Sequence, residues 1–111
     1  MNIKARAQGF KLSLAMHDHI NSRLYLALGR YYGKIQQAEV TLVKIEDAED
    51  GKDQQCEIKL QLDHLKDVVV TERGDDLRQT INTCVHWAKR AVERHHNYMR
   101  RMNLKRYYGY N

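Results

Sequence analysis

From Asp76 to Arg101 the sequence DLRQTINTCVHWAKRAVERHHNYMRR places apolar or small residues at Leu77, Ile81, Cys84, Val85, Ala88, Ala91, Val92 and Met99. Spacings of three and four recur throughout, which is one face of an α-helix. At about 100° per residue these positions fall in a sector about 120° wide. His86, Lys89, Arg90, Asn97, Arg100 and Arg101 point the other way, with Trp87 and Arg94 on one shoulder. Gly74-Asp75-Asp76 precedes the segment, placing acids where the helix dipole favours them. The pattern predicts a long helix with one face on a core.

Upstream the period changes. Ile3, Ala5 and Ala7 alternate with Asn2, Lys4, Arg6 and Gln8, the signature of a half-buried strand. After Gly9, Ser13 is placed to cap a helix from Leu14 to about Tyr32, whose packed stripe is Met16, Ile20, Leu24, Ala27, Leu28 and Tyr31. Arg23 and Arg30 border that stripe, Tyr25 and Tyr32 lie away from it, and Gly33 supplies a stop. Ile35–Ile45 reads as a second strand with Ala38, Val40 and Leu42 inward. Cys56, Ile58, Leu60 and Leu62 alternate with polar residues in a third. His64-Leu65-Lys66-Asp67 turns into a fourth, Val68–Arg73.

The fold class expected is α+β in the order β-α-β-β-β-α. It is a four-stranded mixed sheet with two helices packed on one face. The first two strands should be parallel across a right-handed crossover, and the remaining strands an antiparallel meander. Residues 1–102 are expected to form a single domain. Residues 103–111, NLKRYYGYN, are expected to be a flexible, basic, tyrosine-rich tail.

Charge changes the picture more than composition does. Leu77 to Arg106 carries eight Lys/Arg against Glu93 alone, a net +7, while the whole chain is only +5, so residues 1–76 sum to −2. Five acids and Lys52 crowd into Glu46–Asp53, a solvated turn in which Gly51 gives the tight conformation. A Ca²⁺ loop would need ligand spacing and flanking helices that are missing there. A phosphate-rich partner would be repelled by this loop and drawn to the last helix. No apolar run reaches membrane-spanning length and the start MNIKARAQGF lacks a signal peptide's apolar region, so a cytoplasmic protein is expected. Cys56 and Cys84 lack metal-ligand spacing and fit the apolar faces of a strand and a helix.

Catalytic and metal chemistry find no support in the motifs. Gly-rich phosphate loops and nucleophile elbows are missing. His17/His19 and His95/His96 sit at spacings unlike the three or four of helical metal pairs. No enzyme, cofactor, metal or small-molecule substrate is expected. The chemistry present is a cationic helical face with Trp87, Tyr98, Tyr107, Tyr108 and Tyr110 near it. Arginine's planar fork of donors suits phosphate, and aromatic faces stack on unpaired bases. Candidate RNA-binding residues are Arg23 and Arg30 on the first helix. On and after the last they are Arg78, His86, Lys89, Arg90, Arg94, His95, Arg100, Arg101, Lys105 and Arg106. A protein-interaction module docking its basic helix on an acidic partner is the alternative. The third strand, QQCEIKLQL, lacks the aromatics of an RNA-recognition motif. The opening strand does not fit a double-stranded-RNA domain.

With these residues in order, the chain from about Asn2 to Met102 resembles the short ribosome hibernation factors of bacteria, the family of hibernation promoting factor and ribosome-associated inhibitor A. The likeness rests on the opening NIKA strand, the helix after Leu12-Ser13, the Ile35–Ile45 strand and, above all, the last helix. There Asp76-Leu77-Arg78-Gln79-Thr80-Ile81-Asn82 is similar to the family's Asp-Met-Tyr-x-x-Ile-Asp. Arg90-Ala91-Val92-Glu93-Arg94-His95-His96 is similar to its Arg-Gln-Leu-x-Lys-His-Lys. Trp87 replaces a basic position, His96 another, and LYLALGRYYGK replaces a lysine-rich stretch of the first helix. The free protein is expected to be a monomer, and the resemblance implies one whose helices sit in the small-subunit channel used by mRNA and tRNA. There it would contact rRNA of the small ribosomal subunit and silence idle ribosomes.

Overall fold

The structure is a computed structural model that describes residues 1–63 and 66–107, with side chains as far as 103. The period-two stretches form four strands, β1 Asn2–Gln8, β2 Ile35–Lys44, β3 Gln54–Leu62 and β4 Val68–Gly74. They lie side by side in chain order. β1 runs parallel to β2, and β2–β3 and β3–β4 are antiparallel. The register aligns Ala5, Val40, Ile58 and Val70 in one row under the helices. The adjacent rows Lys4–Glu39–Lys59–Val69 and Arg6–Thr41–Glu57–Thr71 occupy the opposite face.

Helix α1 is Leu14–Leu28 and α2 is Leu77–Tyr107. Both N-termini are capped as their sequences dictate. Ser13 accepts from the Met16 N–H at 3.1 Å, and Asp76 Oδ1 accepts from the Gln79 N–H at 2.9 Å. α2 covers β3 and β4, and α1 lies beside it on the β1 side. Ile20, Leu24, Leu28, Leu42, Ile58, Leu60 and Ile81 are fully buried between the layers. Each such side chain contributes about 1.5–3 kcal/mol relative to exposure. Cys56 and Cys84 are buried free thiols, as expected of core residues.

Three boundaries differ from the sequence reading. The first helix does not continue to Tyr32: after Leu28 the chain tightens into a 3₁₀ segment, Gly29–Lys34. β2 ends at Lys44, one residue short of Ile45, whose N–H still donates to the Asp53 carbonyl at 2.8 Å where the acidic loop closes. α2 runs to Tyr107, into the stretch assigned to the tail. Residues 108–111, and His64 and Leu65 of the expected turn, lie outside the described residues.

Candidate nucleic-acid interface

The topology makes the two helices parallel. β1 and β4 both end at the edge where the acidic loop lies, so α1 and α2 both start there and run to the opposite end. Two cross-links confirm that alignment. His19 Nδ1 accepts from Arg78 at 3.3 Å while its Nε2 donates to Asn82 Oδ1 at 2.9 Å. One end further along, Lys34 Nζ donates to His96 Nδ1 at 2.8 Å. Lys and Arg side chains carry donors only, so each fixes the ring nitrogen it meets as the acceptor.

On α2 the cations fall into two lines. Arg78, Lys89 and Arg100 are eleven residues apart, which returns a helix to nearly the same side, here the flank toward α1. Arg90, Arg94 and Arg101 form a second line over about 17 Å on the outer side. Arg23, one turn after His19, faces the first line from α1. Arg30, on the 3₁₀ segment, lies with its guanidinium 5.7 Å from the Tyr31 ring centroid. Together α1, the 3₁₀ segment and α2 as far as residue 103 carry nine Lys/Arg, counting Lys34, against only Asp18 and Glu93.

Most sequence-predicted residues are thus on the helix layer, but they do not form one cluster. His86 is exposed and edge-on to Trp87 at 5.2 Å. Lys89 is partnered by Glu93 at 3.9 Å, an exposed pair worth little. His95 is the exception in position: it sits on the sheet-facing side of α2, lining the hollows on both flanks. Lys105 lies on α2, as does Arg106, and the side chains of both fall outside the described residues. Trp87 and Tyr98, 48% and 53% exposed, stand on the β4 flank with Arg94 between them along the helix.

Sequence reasoning missed the end of the layer where α2 overhangs the sheet. At 31 residues α2 is about 46 Å long, whereas the nine residues of β3 span about 30 Å. Beneath the overhang is a hollow of about 240 Å³ lined by Tyr31, Lys34, Leu62, Asp63, Val92, His95, His96, Met99 and Asn103. The Tyr31 and His96 rings are 5.3 Å apart and tilted by 58°. A β-bulge at Gln36 lets its amide donate to Asp63 Oδ1 at 2.8 Å. The Asp63 N–H donates to the Lys34 carbonyl at 3.1 Å, fixing that carboxylate at the rim. The usable signal was Met99, an apolar residue on the core stripe that lies outside the described core cluster.

The acidic loop is at the other end of the molecule. Its Asp50 accepts from the Lys52 N–H at 3.0 Å and pairs with Arg73 at 3.3 Å. The Lys52 N–H, more than Arg73, holds the Asp50 carboxyl below its ordinary value. Among the described residues no group of three or more His, Cys, Asp or Glu could hold a metal ion. No described helix is long and apolar enough to cross a membrane.

Residues 3–100 match the family described as Sigma 54 modulation protein / S30EA ribosomal protein. The chain belongs to this family. The likeness to ribosome hibernation factors carried by the last helix therefore holds. Among solved structures, this family member is similar to the Protein Y N-terminal domain of Thermus thermophilus. The identity is 25% and the TM-score 0.71, over 85% of this chain and 98% of that one. A ribosomal subunit interface protein from Coxiella burnetii shares the fold at 15% identity and TM-score 0.72, over 87% and 99% of the two chains. Among curated proteins, none matches.

Proposed function

We propose that this family member binds the small ribosomal subunit through the outer side of its two parallel helices. There it occupies rRNA in the channel used by mRNA and tRNA and keeps an idle ribosome silent. The observation that carries this reading is the segregation of charge, nine cations to two acids on the helix layer, in a chain of a ribosome-linked family. Arg90, Arg94 and Arg101 offer planar donor forks along one line, suited to successive phosphates. The open sheet face lacks that character, since Lys4 and Lys59 share their row with Glu39, and Lys59 also pairs with Asp67 at 3.6 Å.

Co-sedimentation with vacant small subunits at low salt tests the proposal. The wild-type chain should travel with the subunits and stop cell-free translation. Arg90→Gln/Arg94→Gln should weaken binding and reduce the salt slope by about 1.5, at about 0.7–0.9 for each phosphate no longer neutralised. Lys4→Gln/Lys59→Gln, which removes the same charge from the sheet face, should bind as wild type. A wild-type chain that remains at the top of the gradient rejects the reading. Equal losses in both double variants would reject the assignment of the face.

A further inference from the structure

We infer that the hollow beneath the overhang of α2 is a subsite for one unstacked RNA base, an amino-bearing one in preference to uracil. The inference rests on the proposed rRNA binding and says what one part of that surface reads. At about 240 Å³ the hollow falls below the roughly 300–1,000 Å³ of drug-sized ligand sites, so it suits a single flat ring system rather than a whole nucleotide. Its walls are aromatic and apolar. Tyr31, 5% exposed, meets the His96 ring, and Met99 adds an apolar side chain to the lining. An extruded base is held in this way, between aromatic and apolar side chains with its pairing edge read by hydrogen bonds.

The polar groups are placed for both parts of a nucleotide. Among the described residues Asp63 is the one carboxylate on the hollow, held by the Gln36 amide and through its own N–H on the Lys34 carbonyl. An ionised carboxylate only accepts, so it suits the exocyclic amine of adenine, cytosine or guanine, whereas uracil's one pairing-edge donor, N3–H, lies between two carbonyls that the carboxylate repels. Lys34, at the rim on His96, and the Arg30 guanidinium over Tyr31 would meet the flanking phosphates, giving charge complementarity where the backbone would pass. A peptide side chain would use the apolar floor but leave this pairing of a carboxylate and cations around the rim unexplained.

The full chain, titrated with AMP, CMP, GMP and UMP, tests the subsite with the ring signals of His96 and Tyr31 followed by NMR. The three amino-bearing nucleotides should shift both rings saturably, and UMP should bind at least about fivefold more weakly. Met99→Trp, which fills the hollow, should abolish the shifts, and Asp63→Asn should level the preference should Met99→Trp fail to fold. Equal shifts with inorganic phosphate, or no shifts, overturn the inference. On small subunits, Met99→Trp should bind at least about fivefold more weakly and leave one unpaired nucleotide open to dimethyl sulfate that the wild type protects. An unchanged footprint with a missing cross-link to a ribosomal protein would assign the hollow to a protein partner and overturn it. If the wild-type chain fails to bind subunits, the proposed function falls, while the mononucleotide titration still decides the subsite.

Discussion

Gly74 ends β4 where α2 begins, and a Cβ there would collide with the Thr80 hydroxyl. That hydroxyl cannot easily move away, because it donates to the Asp76 carbonyl at 2.6 Å and Thr80 is buried. Gly74→Ala should therefore lower stability by about 1–3 kcal/mol, as overpacking does. Gly33→Ala, with nothing within 4 Å, should be neutral or slightly stabilising; paired urea melts check both. The two thiols give a second test at this scale. Cys84 Sγ donates to the Cys56 carbonyl at 3.4 Å. The Cys84 thiol beside it, and then burial, push the Cys56 thiol well above its ordinary value. Thiolate is the reactive form, so an aromatic disulfide reagent at pH 8 should leave the native protein unlabelled and label both cysteines in guanidinium. The sign follows by linkage. Below the unfolded thiol's value of about 8.5 the contribution is complete, and as pH rises past it the unfolded chain alone loses its proton. Thermal stability should fall steadily as pH rises above about 8.5, and a flat profile would count against the buried pair.

At the scale of elements, strands were legible because period two has no competitor at β1, whose limits Asn2–Gln8 coincide with the alternation. The end of α1 was not. Leu28 and Tyr31 are three apart, a spacing that an α-helix and a 3₁₀ turn both keep on one side. What separates them is rise, about 2.0 Å per residue against 1.5 Å, and that depends on where β2 must start. The cationic positions of α2 were readable from the chain, but their partners were not. His19, Lys34 and His96 acquire roles only once the helices are parallel, a property of strand order that no local window contains. α2 itself has two regimes. Between Thr80 and Val92 it buries one face, and beyond Met99 it leaves the sheet. Exposed helix draws little stability from packing, so amides of 97–103 should exchange hydrogen much faster than those of 80–92. Bound to small subunits, residues 97–103, with the most protection to gain, should slow the most, and unchanged exchange there would contradict the placement of RNA at Arg101.

Across the whole molecule, charge is divided twice. Along the helices, Glu46–Asp53 and Asp75–Asp76 collect at one end and Arg90–Arg101 toward the other, so the chain is a dipole that a polyanion would turn before contact. Across the layers, the helix side is cationic and the sheet side mixed, with Lys4, Arg6, Lys59 and Arg73 interspersed with Glu39 and Glu57. The open sheet therefore gives the molecule a valence of one. On the proposed function, what faces solvent is then a surface of mixed charge, with Lys59 paired to Asp67 and Arg73 to Asp50 and no aromatic in the described strands, a poor foothold for a second RNA. On that proposal a single copy would seal one surface without tying two together. With small subunits in twofold excess, sedimentation should show only free subunits and singly loaded ones, and subunit pairs joined by one protein would reveal a second binding face.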